Sequence, residues 1–308
     1  MNLLKGILLK LLAALMFAAM SGLVRALGAM VPVGQVVFFR SAVAVVTVAI
    51  VFALRGELVT AARTGRPFGH VGRGLIGVAG MFFNFAALAR LPLAEATAIS
   101  FVAPLITVAL AAIMLHERVG PYRWSAVAVG FLGVLVMLTP HLDPAHVAAA
   151  GTPAATVGAA LAIAAAFCNA GAVIQTRRLT DSETTTAIVL YFSLICAIGG
   201  AVTLPFAWYQ PDGWELAMLI STGILGGLAH IVLTESFRYA PASAVAPFDY
   251  SSILWAFVLG YAMFGEVPSA VVFTGAAIVV VAGLLVIWRE RALGLRRARE
   301  VEEVATGT

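Results

Sequence analysis

Residues 90–118 read RLPLAEATAISFVAPLITVALAAIMLHER, and residues 239–266 read YAPASAVAPFDYSSILWAFVLGYAMFGE. Each stretch has a proline near its start, continues as an apolar run long enough to span a membrane and stops at a glutamate. Pro241 follows Pro92 by 149 residues (241 minus 92), and the two glutamates are separated by the same interval. This shared spacing favours an internal duplication of the chain.

The composition of the whole chain is that of a membrane protein. Of the 308 residues, 62% are hydrophobic and 11% are charged, and the mean hydropathy is +1.01. Soluble domains carry about 45–50% apolar and about 25% charged residues, so this chain cannot cover itself with polar side chains in water. The formal net charge of +4 comes with arginines that stand between apolar runs, where they indicate topology rather than nucleic-acid binding.

Apolar runs of the length needed for a spanning helix recur along the chain. Proline, glycine and charged residues separate these runs. Proline is common in the first turn of a helix, so a proline after such a break marks the start of the next span. The N-terminal run follows two lysines as in a signal peptide, but it is long and similar runs follow it, so it is taken as the first span. The ten predicted spanning helices cover residues 5–27, 33–54, 72–90, 93–115, 122–140, 154–176, 185–208, 214–237, 241–264 and 268–288.

The arginines fall mainly on one side of this arrangement. With the N-terminus inside, the loops at 55–73, 116–123 and 177–183 and the basic tail at 289–308 are cytoplasmic. Only Arg25 and Arg90 lie outside. The positive-inside rule therefore predicts cytoplasmic N- and C-termini in a bacterial-type inner (plasma) membrane. The tail either anchors the last helix or binds anionic lipid.

The second copy of the duplicated stretch begins after five spans, so it enters the membrane in the opposite orientation. Inverted repeats of this kind are common in secondary transporters, which place the substrate site between the two halves near the bilayer midplane. We therefore predict an all-α integral membrane protein with ten transmembrane helices. Two inverted five-helix repeats, residues 5–140 and 154–288, surround a central cavity.

The runs at 94–118 and 239–266 resemble the paired signature of the drug/metabolite transporter superfamily, and within it the EamA-domain transporters. The resemblance covers about residues 5–288, with one EamA-like repeat in each half. It implies a secondary transporter that moves small metabolites by alternating access. Export of amino acids or related metabolites is the first expectation from the resemblance, and uptake of a vitamin or nucleoside-like metabolite, of the riboflavin or S-adenosylmethionine type, is the alternative.

The motifs of other function classes are absent from the sequence. No Walker motif is present, and the GxGxxG run that begins at Gly72 lies in a predicted membrane span with no preceding strand. Transport would therefore draw on a gradient of solute, protons or another ion. A channel remains the alternative of a different class, although no ring of like charges or filter loop is apparent. No HExxH or GxSxG motif indicates an enzyme, and Cys168 and Cys196 form no CxxC pair. We expect a small-molecule substrate and lipid as partners, no cofactor, metal or nucleic acid, and a monomer or homodimer.

Two charged residues within predicted spans are the main site candidates, because charge in hydrocarbon costs about 2.5–3.5 kcal/mol on insertion scales. Arg40 could hold a substrate carboxylate through its planar guanidinium, or it could pair with Glu95 or reach the surface. Asp249 could bind a substrate ammonium or take up a coupling proton, or it could pair with His230 or Arg238. Together, Arg40 and Asp249 would match a zwitterion such as an amino acid.

The remaining candidates for the cavity are Asn84, Glu95, Phe101, His230, Tyr250 and Trp255. Glu95 stands at the start of a span, where a helix cap explains it equally well. His230 could relay a proton or form a structural hydrogen bond, and Asn84 could line the cavity or bridge two helices. The three aromatic residues would give the cavity apolar walls.

Glycines recur at helical spacing in several predicted spans and indicate close packing between helices rather than ligand binding. They include Gly74, Gly77, Gly80, Gly130, Gly133, Gly223 and Gly227.

Overall fold

The computed structural model describes residues 3–28, 30–56, 59, 63–114, 121–142, 153–180, 182–239, 246–285 and 288. The described residues form helices and connecting turns and contain no β-strand. A 3-10 turn at Ala246–Tyr250 leads directly into α10. The α-helices in chain order are α1 (Leu3–Leu27), α2 (Val33–Leu54), α3 (Pro67–Leu88), α4 (Leu93–Ser100), α5 (Val102–Met114), α6 (Pro121–Leu142), α7 (Pro153–Thr180), α8 (Thr185–Thr203), α9 (Gly213–Tyr239), α10 (Ser251–Phe264) and α11 (Ala270–Leu285).

Six helical segments are long and apolar enough to cross a membrane, namely α1, α2, α3, α4 together with α5, α7 and α9. Four shorter apolar helices fall on the remaining predicted spans, at Val127–Met137, Ala187–Thr203, Phe248–Phe264 and Ala270–Leu285. Large apolar side chains are exposed along many of these helices, as is expected on the side of a helix bundle that faces lipid. The chain is a multi-pass membrane protein.

Two predicted helix boundaries are wrong. The third helix begins at Pro67 rather than at residue 72, because a proline fits the first turn, where no backbone hydrogen bond is required of it. Arg73, which the sequence assigned to a cytoplasmic loop, therefore lies inside α3. The seventh predicted span corresponds to α8, which ends at Thr203 rather than at residue 208.

Regular α-helix is interrupted near both prolines that were predicted as bending points. Phe101 separates α4 from α5, and Pro104 lies one turn later, where it cannot donate to the Ser100 carbonyl. Pro247 lies in the 3-10 turn before α10. The start of that predicted span, residues 241–245, and the tail at 289–308 lie outside the described residues.

Helices of the first half pack mainly against helices of the second half. α1 packs along α9 and α3 along α7, while α2 contacts both α8 and α9, and α3 also contacts α8. α1 contacts α10, and α4 and α5 contact α7. Exchanging the two halves, helix for helix, returns the same pairs among these contacts between the halves. Two related halves would produce this symmetry.

Candidate functional site

A cavity of about 160 Å³ lies between the two halves of the chain. Its walls come from α1, α2 and α3 on one side and from α7 and α8 on the other. Arg40 and Asn84, both candidates from the sequence, line it. The full lining is Met20, Arg40, Arg73, Gly77, Gly80, Met81, Asn84, Phe85, Asn169, Ala172 and Phe192.

Arg40 lies on α2 and is only 4% exposed. Its Nη2 lies 3.3 Å from Nε2 of His230 on α9. Because a guanidinium has only donors, this contact requires His230 to accept through an unprotonated Nε2. The His230 ring also packs edge-on against Phe17, with ring centroids 5.0 Å apart. The candidate histidine therefore supports the candidate arginine from behind the cavity wall.

Glycines provide the space for these side chains. A Cβ at Gly226 would lie 3.2 Å from Nε of Arg40 and 3.0 Å from Sδ of Met20, and a Cβ at Gly77 would lie 2.5 Å from the Phe192 ring. Larger residues at these two positions would displace the lining. Gly77, which the sequence assigned to helix packing, thus also shapes the cavity.

Arg73 is the lining residue that the sequence analysis missed. Its Nε donates to Oγ1 of Thr176 at 3.2 Å, and its guanidinium carbon lies 3.8 Å from the centroid of the Phe192 ring. The signal was present, because Pro67 marks the helix start that places Arg73 inside α3. The positive-inside rule instead counted the arginine with the preceding loop.

Asp249 lies away from this cavity. Its Oδ1 is 2.6 Å from Nζ of Lys10, and the Asp249 side chain is 54% exposed. Lys10 and Met20 both lie on α1, and ten residues of helix span about 15 Å. Because Met20 lines the cavity beside Arg40, the two charges are separated along the bundle and do not form the zwitterion clamp that their signs predicted.

The aromatic candidates form a second group near α10. The rings of Phe101 and Tyr250 stack with centroids 4.8 Å apart, and the Tyr250 hydroxyl packs against Gly283. The indole nitrogen of Trp255 is buried without a hydrogen-bond partner among the described residues. Glu95 stands in the first turn of α4. None of these four lines the 160 Å³ cavity.

A larger groove of about 720 Å³ lies at one end of the bundle, where Arg63, Gly65 and Glu183 meet. Loop residues form most of its wall, and it contains none of the predicted candidates. The described residues contain no group of three or more His, Cys, Asp or Glu side chains that could hold a metal ion. The cavity between the halves combines the buried Arg40 with a second arginine and two asparagines, and it is the candidate site.

Comparison with known proteins agrees with this architecture. The sequence profile described as the EamA-like transporter family matches residues 4–139 and 156–288. An S-adenosylmethionine uptake transporter of Rickettsia felis is 32% identical over 74% of this chain and 74% of its own length. A pseudopaline exporter of Pseudomonas aeruginosa is 30% identical over 90% of this chain and 94% of its own length.

A riboflavin transporter of Rhizobium johnstonii is 30% identical over 78% of this chain and 75% of its own length. One solved crystal structure superposes with a TM-score of 0.62 at 20% identity, covering 90% of this chain and 95% of that one, which shows likeness of fold alone. The profile matches both halves and the relatives are transporters. This chain belongs to the EamA-like transporter family, within the drug/metabolite transporters.

Proposed function

We propose that this protein exports amino acids or related carboxylate metabolites across the inner membrane by alternating access. The observation that carries the proposal is the cavity between the halves, which the largely buried Arg40 lines together with Asn84. A guanidinium is always charged and binds a carboxylate through two parallel hydrogen bonds. Arg40 would therefore bind a carboxylate group of the substrate.

The transport cycle that we propose uses the two halves as moving bodies. Residues 5–140 and 154–288 act as inverted five-helix repeats, with both termini in the cytoplasm, and rock around the cavity so that it opens to each side in turn. The exchange symmetry of the helix contacts supports this arrangement. The coupling ion is left to measurement.

The size of the cavity favours a small solute. Sites for drug-sized ligands measure roughly 300–1,000 Å³, whereas a cavity of about 150 Å³ holds a molecule of the size of benzene. The volume of about 160 Å³ therefore supports an amino-acid-sized substrate. The pseudopaline exporter, which matches 90% of this chain, supports export. Uptake of a larger metabolite remains the second candidate because two of the relatives are an S-adenosylmethionine uptake transporter and a riboflavin transporter.

Exchange across liposomes tests the proposal. Purified protein is reconstituted in vesicles loaded with unlabelled amino acids, organic acids, riboflavin or nucleosides, and uptake of the labelled counterpart is measured. Arg40→Gln removes charge-assisted hydrogen bonds, so we expect exchange of a carboxylate-bearing class to fall about tenfold or more. The matched control is Arg90→Gln, because Arg90 is exposed and its side chain donates to the Ala86 carbonyl near the end of α3, outside the cavity.

Two results would count against the proposal. Exchange of riboflavin or nucleosides alone would favour the second candidate function. Absence of exchange across the whole panel, with folded protein demonstrated in the same vesicles, would contradict transport of these solutes.

A further inference from the structure

Two guanidinium groups share the cavity. Arg40 projects from α2 and Arg73 from α3, and both line the same 160 Å³ space. Neighbouring side chains hold both arginines. His230 contacts one amino group of Arg40, Thr176 accepts from Nε of Arg73, and the ring of Phe192, which also lines the cavity, lies against the Arg73 guanidinium.

Three nitrogens of these two guanidinium groups have no acceptor among the described residues. Arg40 Nε, Arg40 Nη1 and Arg73 Nη1 are buried and form no hydrogen bond with any described residue. A buried donor without a partner costs free energy, and a charged one costs more than a neutral one, so such groups are rarely left unmatched in a native protein. An anionic occupant of the cavity would offset this buried positive charge.

The charge of the cavity also favours an anionic occupant. Its eleven lining residues include two arginines and no aspartate or glutamate. The two cations repel each other, and this repulsion is stronger beside buried protein groups than in bulk water. An occupant with two negative charges would neutralise both arginines, whereas the ammonium of a zwitterion would be placed beside two cations.

We propose that the cavity between Arg40 and Arg73 binds a small dicarboxylate, with one carboxylate on each guanidinium. This inference rests on the proposed function and names its substrate class. The amides of Asn84 and Asn169 line the same space and supply further polar contacts along the carbon chain. The volume accommodates a chain of about four or five carbons, since a cavity of about 150 Å³ holds a six-carbon ring. Arg73 is the specificity residue that distinguishes a dianion from a monocarboxylate.

Binding to the purified protein is measured first, because it does not depend on transport. The midpoint of thermal unfolding in detergent is recorded with succinate, glutarate, butyrate, alanine and inorganic phosphate. We expect succinate or glutarate to raise the midpoint and alanine to leave it unchanged. In Arg73→Gln, the Kd for the diacid should rise roughly ten- to hundredfold, while the Kd for butyrate should change by less than about threefold.

Two further variants keep the test informative if Arg73→Gln folds poorly. Arg73→Lys retains the charge but loses the planar fork, so it should bind the diacid more weakly than the wild type and more tightly than Arg73→Gln. Arg90→Gln, which lies outside the cavity, should bind the diacid like the wild type.

The outcomes separate the inference from the proposed function. If phosphate or alanine stabilises the protein and the diacids do not, the dicarboxylate assignment is overturned. Liposome exchange that is confined to zwitterionic amino acids and insensitive to Arg73→Lys would also overturn it, while the transporter function would stand. Arg73-dependent binding of a diacid without exchange of any solute would support the assignment and contradict the proposed function.

Discussion

Phe101 and Tyr250 stack on each other with their ring planes at 24°, and the two positions are 149 residues apart in the sequence (250 minus 101). The same interval separates Pro92 from Pro241. Phe101 marks the break between α4 and α5, and Tyr250 ends the 3-10 turn before α10. Positions that correspond in the two proposed repeats therefore touch.

We expect this stack to stabilise the association of the halves. Phe101→Leu and Tyr250→Leu each lose the aromatic contact, and a double-mutant cycle should give a coupling free energy of about 1 kcal/mol. The measurement is equilibrium unfolding in detergent, followed by tryptophan fluorescence. Phe131→Leu, at a 39% exposed position, provides the control and should show no coupling to Tyr250→Leu. Additive effects of the first pair would show that the contact contributes nothing of its own.

Arg25 and Glu266 tie the halves together at the end of the bundle opposite Lys10. The Arg25 guanidinium pairs with the Glu266 carboxylate and donates to the carbonyl of Leu91. The second carboxylate oxygen of Glu266 accepts from the Leu93 N–H at 2.9 Å. Because these side chains are 21% and 13% exposed, the pair is shielded from water, and breaking it should favour opening at this end.

Spin-label distances test this expectation. Labels at Met30→Cys and Val267→Cys occupy exposed positions on the two halves at this end, in a background where Cys168 and Cys196 are replaced by alanine. Glu266→Gln should shift the distance distribution towards longer values. An unchanged distribution would show that the pair does not hold this end closed.

An exposed hydrogen bond between the halves at the other end supplies the comparison. Arg178 at the end of α7 donates to the Met114 carbonyl at the end of α5, at 3.1 Å. With the same two labels, Arg178→Gln should leave the distribution unchanged or shift it towards shorter values, because it loosens the opposite end.

Much of the fold could be predicted because lipid imposes simple rules on the sequence. A helix must be about 20 apolar residues long to span the membrane, so composition and length locate the spans without tertiary information. The helix boundaries were harder to predict, because a cationic side chain in the first turn of a helix resembles one in the preceding loop. Arg73 was misassigned for this reason, although Pro67 gave the correct start.

The site was only partly predictable. Arg40 and Asn84 were identified because polar groups inside a span are costly unless they face a cavity or a partner, and both line the cavity. Asp249 satisfied the same criterion, yet its carboxylate pairs with Lys10, ten residues from Met20 along α1. Sequence shows which residues need a polar partner; only the packing of the helices shows which partner each one meets.

The pairing of Lys10 with Asp249 predicts a structural role for the aspartate. Lys10 is 5% exposed, so Asp249→Asn weakens the partner of a buried ammonium. Because Asp249 is itself exposed, we expect a loss of only about 1 kcal/mol in the free energy of unfolding. The exchanged pair, Lys10→Asp with Asp249→Lys, should recover part of this loss. Normal stability of Asp249→Asn with abolished exchange in liposomes would instead indicate a role in ion coupling.

Gly133 on α6 and Gly275 on α11 bring two backbones into direct contact. A Cβ at Gly133 would lie 2.9 Å from the Gly275 carbonyl oxygen, which belongs to rigid helix and cannot rotate away. Gly133→Ala should therefore separate the helices and lower the free energy of unfolding by about 1–3 kcal/mol. The measurement is equilibrium unfolding of the purified variants in detergent.

Gly72 on α3 provides the matched control for this substitution. A Cβ there meets no atom within 4 Å, and alanine is favoured over glycine in a helix by roughly 0.5–1 kcal/mol. Gly72→Ala should therefore be neutral or slightly stabilising under the same conditions. Equal losses in both variants would trace the effect to helix backbone rather than to packing, whereas a loss at Gly133 alone would establish that α6 and α11 are held together by the close approach of their backbones.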